Sequence, residues 1–308
     1  MKKTPLLLVT LMMSALLMSG CSGSPGSTDL KQSVSISVTT TVFPLYVIAQ
    51  QITGDKMNVE LIVLPGNSPH TFTPTPKTKK AIDGSQRTFA IGHHLDDWVF
   101  ELIDDPSTII LTDKDITLRK YGSSSKESNN GHVHNEYDPH YWLDPRNAKT
   151  IADTISAELI IIDPKNQNHY TNQLQLFKEE MDLLYTEQVA LMKPVHDIPF
   201  LTMHDAWFYY TEAFGLNLVG SFNPSGAENP TPKYLQSLQD LIDTTGAQAI
   251  FNEPQLPVSG LLPFIGDNDL SLGILDPFSG IQGIELYSHL IRYNSKELIA
   301  NLKSTQAD

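Results

Sequence analysis

One long amphipathic segment in the middle of the chain does most to constrain the fold. From Leu174 to Leu191, apolar residues recur at steps of three and four, and Gln188 takes the place of one of them. This spacing predicts a single helix over residues 167–192, with one apolar stripe and with Pro194 just beyond its end. Such a helix is longer than a routine connection, so we predict a rigid strut between two lobes.

Strand-like and helix-like stretches alternate on both sides of this segment. Before it, short runs of β-branched and apolar residues predict strands at residues 34–42, 57–64, 88–92 and 108–112. After it, strands are predicted at 198–202, 216–222, 249–252 and 272–275. Helices are predicted among them at 44–52, 146–161, 205–214, 232–243 and 284–302. This alternation predicts an α/β fold with two lobes, each a mainly parallel sheet flanked by helices, joined by one long rigid helix.

The first twenty residues predict an export signal rather than part of the fold. Lys2 and Lys3 precede an apolar run over residues 6–18, which is too short for a comfortable membrane span. The run leads to Cys21, the only cysteine, in a stretch (residues 17–21) that resembles a bacterial lipobox. That resemblance implies cleavage before Cys21 and a diacylglycerol anchor on its thiol. The alternative is an incidental cysteine within a discarded signal.

The charge balance excludes one class of partner. The chain has 35 acidic and 21 basic residues, a net charge of −14, which argues against nucleic acid and is compatible with a bound cation. The predicted organisation is a signal peptide (1–20), a lipid-anchored tether (21–33), an N-terminal α/β lobe (34–166), a linking helix (167–193) and a C-terminal α/β lobe (194–308).

Four ligand-type side chains follow predicted strands. They are His70, His140, His204 and Asp276, two before the long helix and two after it. Ligands of open α/β sheets gather outside the carboxyl ends of the strands, so these four predict a site in the cleft between the lobes. Each alone is compatible with a solvated loop side chain, or with a turn residue or helix cap for Asp276. Together, three neutral imidazoles and one carboxylate make a tetrahedral set suited to zinc.

Several stretches, taken in order, resemble a known family across nearly all of the mature chain: the solute-binding lipoproteins of bacterial ABC importers for zinc and manganese. They read TVFPL at residues 41–45, PHTFTPTP at 69–76, DPHYWLDP at 138–145, HDAWFYY at 204–210, IFNEPQ at 250–255 and LDP at 275–277. The resemblance implies two α/β lobes joined by one long helix, with the metal held by His70, His140, His204 and Asp276. Histidine at the third place implies Zn²⁺, with Mn²⁺ as the alternative.

The same resemblance implies partners and location. We expect extracytoplasmic capture of the metal, in the periplasm or at the cell surface, and delivery to the membrane permease of an ABC importer. We also expect attachment to the lipid bilayer through Cys21 and a monomeric, non-enzymatic protein. Because imidazole must be neutral to bind metal, affinity should fall below about pH 6.

Two accessory features stay open at the level of sequence. His132 and His134, with Glu136, lie in a polar loop and are either gatherers of zinc or incidental residues of a linker. Glu253 follows a predicted strand and is an outer partner of a ligand, a more distant alternative ligand, or half of an ordinary ion pair.

Two other functions use the same residues. A zinc hydrolase would keep an open coordination position and need a base, for which Glu253 is the only obvious candidate. A metal-binding surface adhesin or chaperone without its own importer would share the anchor and the fold.

Overall fold

Short parallel strands form two four-stranded sheets, one on each side of the long helix. The computed structural model describes residues 36–120, 137–222 and 231–304. The first sheet contains β1 (Ser37–Thr40), β2 (Asn58–Leu61), β3 (Arg87–Ala90) and β4 (Ile109–Leu111). The second contains β5 (Phe200–Thr202), β6 (Leu218–Ser221), β7 (Ala249–Asn252) and β8 (Ser271–Ile274). The predicted fold class is confirmed.

Both sheets have the same strand order. The first runs β2-β1-β3-β4 and the second β6-β5-β7-β8, and every pair of neighbours is parallel. The chain therefore reverses its direction of winding beside β1 in one sheet and beside β5 in the other. Loops that leave the carboxyl ends of strands at such a reversal border a crevice, which is where open α/β sheets bind ligands.

Nine helices are described over these three ranges. They are α1 (Phe43–Thr53), α2 (Pro76–Asp83), α3 (Trp98–Leu102), α4 (Pro145–Ile162), α5 (Gln167–Met192), α6 (Phe208–Phe214), α7 (Pro232–Thr245), α8 (Leu262–Asp267) and α9 (Tyr287–Ser304). Sequence periodicity did not predict α2, α3 or α8. These three have five to eight residues, too few turns to display a periodic stripe.

Local signals set the ends of helices α4 and α7. The Asp144 side chain accepts a hydrogen bond from the Arg146 N–H at the start of α4, at 2.8 Å. Thr231 caps α7 in the same way, and Gly246 ends that helix in the left-handed conformation, at φ 71°. These caps satisfy backbone groups that a helix end leaves unpaired.

The long helix α5 packs into one core that both lobes share. Its buried stripe includes Phe177, Leu184 and Gln188. The same cluster of buried apolar residues extends from Val38 in β1 to Phe200 in β5. A helix that is part of the core of both lobes resists bending, because moving it would open cavities in the close-packed interior.

The described residues all lie in one compact unit. The boundaries at residues 34–166, 167–193 and 194–308 therefore stay a prediction. None of the described helices combines the length and the apolarity that a transmembrane span requires.

Candidate metal centre

The first two histidines come from loops that follow strands of the first sheet. His70 lies in a 3-10 turn (Pro69–Thr71) after β2 and is exposed. His140 directly precedes a second 3-10 turn (Tyr141–Leu143) and is fully buried. The Trp142 ring packs against the His140 ring, with 5.2 Å between their centroids, so the buried imidazole has a fixed wall on one side.

The third histidine comes from the second sheet. His204 lies just beyond the end of β5 and is buried. The Thr202 hydroxyl donates a hydrogen bond to the His204 carbonyl at 2.9 Å, which fixes the turn of the chain as it leaves the strand. The histidine therefore stands at the winding reversal of its sheet, the expected place for a ligand-binding residue.

The three imidazoles converge on one point. Their ring centroids are 5.5 Å apart for His70 and His140, 5.2 Å for His70 and His204, and 5.0 Å for His140 and His204. One ring nitrogen of each lies within 4.8 Å of the others. Among the described residues, this is the only group of three or more histidine, cysteine or acidic side chains that could hold a metal ion.

The spacing of these nitrogens fits a small tetrahedral cation. The Nε2 atoms of His70 and His140 are 3.4 Å apart. Two nitrogens that each lie about 2.0–2.1 Å from one tetrahedral zinc ion would be about 3.3 Å apart. The pair therefore has the separation of two ligands around a single ion, and His204 supplies a third nitrogen close to it.

Buried carboxylates orient the two buried rings. The Asp138 Oδ1 atom lies 2.8 Å from His140 Nδ1 and also accepts a hydrogen bond from the His140 backbone N–H, at 3.0 Å. Glu253 Oε1 lies 3.2 Å from His204 Nδ1. A carboxylate that accepts from Nδ1–H fixes the tautomer, so Nε2 keeps its lone pair for a metal.

The protonation of the three rings differs. His70 as a residue is exposed, but its ring faces the two buried imidazoles; loss of hydration at the ring, together with the positive charges of those imidazoles, holds its pKa well below the ordinary 6.5. Burial likewise lowers the pKa of His140, and the charge of His204 adds to the effect. Burial also acts to lower the pKa of His204, but the Glu253 charge and hydrogen bond outweigh it, so the net shift is upward. His204 is therefore the only one of the three rings whose pKa lies above the ordinary value.

Asp276 is held by its own lobe and is not part of the three-histidine group. It follows β8 and is fully buried. Its Oδ1 accepts hydrogen bonds from Gln255 Nε2 at 3.1 Å and from the Phe278 N–H at 3.0 Å, and its Oδ2 accepts from the Ile281 N–H at 2.8 Å. Burial raises the pKa of Asp276, and these hydrogen bonds oppose the rise. Its part as fourth ligand stays a prediction.

The accessory residues divide into two sets. Glu253 is buried and contacts His204, so it has the position of an outer partner and lies outside the three-histidine group. His132, His134 and the proposed lipidation site Cys21 lie outside the described residues.

Sequence reasoning missed two residues that support the centre. The first is Asp138, the carboxylate behind His140; its signal in the sequence is an acidic residue two places before a predicted ligand. The second is Trp207, whose indole Nε1–H donates to Glu253 Oε1 at 3.0 Å and so helps to hold that carboxylate. This second contact has no signature in the sequence, because it depends on how two loops meet.

A protein-family comparison covers most of the chain. The model of the family described as "ZnuA: Zinc-uptake complex component A periplasmic" matches residues 38–301. The match contains all four predicted ligands and both sheets except for Ser37, the first residue of β1.

Two relatives of this chain have names that refer to metals. The high-affinity zinc uptake system protein ZnuA of Brucella abortus (strain 2308) is 35% identical over 159 residues, which cover 51% of this chain and 48% of that protein. The match thus spans about half the length of the Brucella relative. The manganese-binding lipoprotein MntA of Halalkalibacterium halodurans is 23% identical over 299 residues, covering 95% of this chain and 96% of that protein.

A solved structure shows the same fold. The laminin-binding protein Lmb of Streptococcus agalactiae, described as a bifunctional protein with adhesin and metal transporting activity, superposes with a TM-score of 0.76. The two are 26% identical, and the superposition covers 87% of this chain and 99% of Lmb.

Proposed function

Since this chain belongs to the family of periplasmic zinc-uptake complex component A proteins, we propose that it captures a divalent transition metal, zinc first, outside the cytoplasm and delivers it to an ABC importer. One observation carries the proposal: ring nitrogens of His70, His140 and His204 lie within 4.8 Å of one another. Solvated loop histidines have no reason to converge, because their charges repel when protonated and their burial costs hydration.

The chemistry of the donors favours zinc over manganese. Imidazole nitrogen suits zinc, whereas Mn²⁺ prefers carboxylate, carbonyl and water oxygen. The proposed ligands are His70, His140, His204 and Asp276, with Asp276 as the one oxygen donor. Mn²⁺ remains the alternative cargo, in line with the name of the Halalkalibacterium relative.

The environment of the rings suits uptake and release. Two of the three imidazoles have pKa values below the ordinary one and are neutral near pH 7, so they present lone pairs without first losing a proton. His204 has a raised pKa, and a metal must displace its proton. Protonation of this one ring therefore opposes binding and gives the centre a route to release.

We further propose that the chain acts as a monomer, that a membrane permease receives the metal, and that Cys21 carries a lipid anchor outside the cytoplasm. Both the relative from Halalkalibacterium and the lipobox-like stretch at residues 17–21 support the anchor. Replacing Cys21 with Ala should move the protein from the membrane fraction to the soluble fraction. An unchanged membrane association of this variant would argue against the anchor.

The hydrolase alternative is less well supported. Its only base candidate, Glu253, is buried, lies 3.2 Å from His204 Nδ1 and accepts a hydrogen bond from Trp207. Because Glu253 lies outside the three-histidine group and holds two neighbouring side chains, its position is that of an outer partner rather than of a base beside a metal-bound water. We propose that the chain is not an enzyme, which ester, peptide and phosphate substrates tested with zinc would check.

The adhesin alternative has one specific support, the likeness to Lmb. It is compatible with metal capture, because the Lmb description combines both activities. Genes for a permease and an ATPase beside this one would favour import. Binding of the purified protein to laminin would favour the adhesin.

A metal-binding assay tests the main proposal. The purified protein competes with a chromophoric chelator for zinc and, separately, for manganese. Replacing His140 or His204 with Ala should weaken zinc binding by about two orders of magnitude or more, about 2.8 kcal/mol. His196 is the matched control, since it is a half-exposed histidine that pairs with Asp197 rather than with the centre.

Two results would overturn the proposal. One is wild-type protein that binds neither metal. The other is His140→Ala that binds zinc as tightly as His196→Ala does. Asp276→Asn in the same assay tests the fourth ligand separately. An unchanged affinity in that variant would leave a centre of three histidines.

A further inference from the structure

Arg119 lies beside the segment that carries the second histidine. Its carbonyl accepts a hydrogen bond from the Asp138 N–H at 2.9 Å, and the next pair, Lys120 and Tyr137, forms an antiparallel bridge. The backbone of Arg119 is therefore joined to the short stretch that leads into His140.

The Arg119 guanidinium faces the carboxylate behind that histidine. Its Nη1 atom lies 3.6 Å from Asp138 Oδ2, while the other oxygen of Asp138 holds the His140 ring. Asp138 is fully buried, and a buried carboxylate is costly unless positive charge and hydrogen bonds compensate it. Arg119 supplies a permanent positive charge at this place.

The same guanidinium reaches the other lobe. Its Cζ atom lies 3.1 Å from the centre of the Phe208 ring, at the start of α6, the helix that follows His204. The neighbouring Tyr209 hydroxyl accepts from the Arg119 N–H at 2.8 Å and donates to the Asp138 carbonyl at 3.2 Å. Arginine suits such a position, because its planar cation can pair with a carboxylate and stack on a ring together.

These contacts form one chain of interactions between two proposed ligands from different lobes. It runs from His140 through Asp138 to Arg119, and from Arg119 to the start of α6, the helix that follows His204. A site for one ion needs its ligands held to within a few tenths of an ångström, which requires such outer support.

We propose that Arg119 is a positioning residue of the metal centre, which holds Asp138 against His140 and ties that ligand to the lobe that supplies His204. The proposal rests on the proposed function, because it assigns Arg119 a part in binding the same metal. Arg119 does not touch the metal. It acts through Asp138 and through Phe208.

Two substitutions separate charge from shape. Arg119→Met keeps an unbranched side chain over the Phe208 ring but removes the charge. We expect zinc to bind about tenfold more weakly, mainly through faster release, because outer partners of ligands contribute about 10–100-fold to affinity. Arg119→Lys keeps the charge without the planar fork and should recover part of that loss.

The geometry of the metal ligands can be measured separately from the stability of the protein. Cobalt(II) bound to the purified protein absorbs visible light with a pattern set by ligand geometry. Arg119→Met should alter this spectrum. The matched control is Arg146→Met, since Arg146 also pairs with an aspartate, Asp144, and lies over a ring, that of Tyr185. We expect the control to leave zinc release and the cobalt spectrum unchanged.

A double-mutant cycle tests the route. If Arg119 acts through Asp138, Arg119→Met should add less than twofold to the loss already caused by Asp138→Asn. Fully additive losses would refute the route. Wild-type zinc release and cobalt spectrum in Arg119→Met would refute the proposal outright. Should Arg119→Met fail to fold, Arg119→Lys and Phe208→Leu are measured in its place, and wild-type values for both would refute it equally.

If the proposed function itself is wrong, the same measurements give a different set of results. In that case wild-type protein binds no metal, and His140→Ala has no effect. A wild-type protein that binds zinc and loses it in His140→Ala, but not in Arg119→Met, overturns only the role of Arg119.

Discussion

Replacing Glu253 with Gln removes the charge behind His204 while it keeps the size of the side chain. In the wild-type protein, one oxygen of this buried carboxylate lies 3.2 Å from His204 Nδ1 and accepts from Trp207 Nε1–H at 3.0 Å. A Gln amide oxygen can still accept from both donors, but it carries no negative charge, so it holds the His204 ring less strongly and makes that ring a weaker donor to a metal. We therefore expect zinc affinity at pH 8 to fall by about 30- to 100-fold, the upper part of the range for outer carboxylates.

The pH dependence should change as well, and its direction follows from the pKa of His204. Burial acts to lower that pKa, and Glu253 reverses the effect, so the wild-type ring stays protonated to a higher pH than free histidine. As the pH is lowered, the zinc affinity of the wild-type protein should begin to fall while the pH is still above 6.5. This is a higher pH than the sequence alone suggests. In Glu253→Gln the largest influence that raises the pKa is gone, and burial is opposed only by the more weakly acting Asp205 and Asp138, so the fall should begin at a lower pH.

The assay is competition with a zinc chelator at several values between pH 8 and pH 5. Wild-type protein should bind more tightly at pH 8, and the difference from Glu253→Gln should narrow as the pH falls. Glu158→Gln is the matched control, since Glu158 pairs with Arg87 at 2.8 Å in the first lobe. The reasoning is refuted if Glu253→Gln matches the wild type at pH 8, or if the ratio of affinities stays constant with pH.

Three further predictions concern stability. Gln188 is fully buried in α5, and neither of its amide atoms has a hydrogen-bond partner of good geometry among the described residues. Gln188→Leu should therefore raise the free energy of unfolding by about 1–2 kcal/mol, measured by denaturant titration. A lower free energy of unfolding in this variant would contradict the prediction. Asp96 is buried and accepts from the Thr41 hydroxyl and from the N–H groups of Ile91 and Gly92, so Asp96→Ala should cost at least about 3 kcal/mol by the same measurement. Zinc at a thousand times its dissociation constant should stabilise the folded protein by about 4 kcal/mol and raise its melting temperature. Removing the zinc with a chelator should reverse that rise. A melting temperature that zinc does not change would count against a metal site in the folded protein.

Much of the fold could be predicted from periodicity. The long helix Gln167–Met192 was predicted to within one residue, because a long amphipathic stripe is a strong signal. The ends of the strands were less accurate: residues 57–64 were predicted as a strand, and the structure has Asn58–Leu61. Tertiary hydrogen bonding decides where a ladder stops, and local composition does not record it.

The sequence by itself determined the two α/β halves, the strut between them and the types of residue that could bind a metal. It did so because side-chain periodicity and ligand chemistry are local properties of the chain. Only the tertiary structure decided which of the candidate side chains come together: three imidazoles converge, and Asp276 accepts hydrogen bonds within its own lobe. It also decided that Asp138 and Glu253 hold two of those rings and that Arg119 reaches across the lobes. Such contacts join loops distant in sequence, and their geometry exists only once both sheets pack around the shared helix.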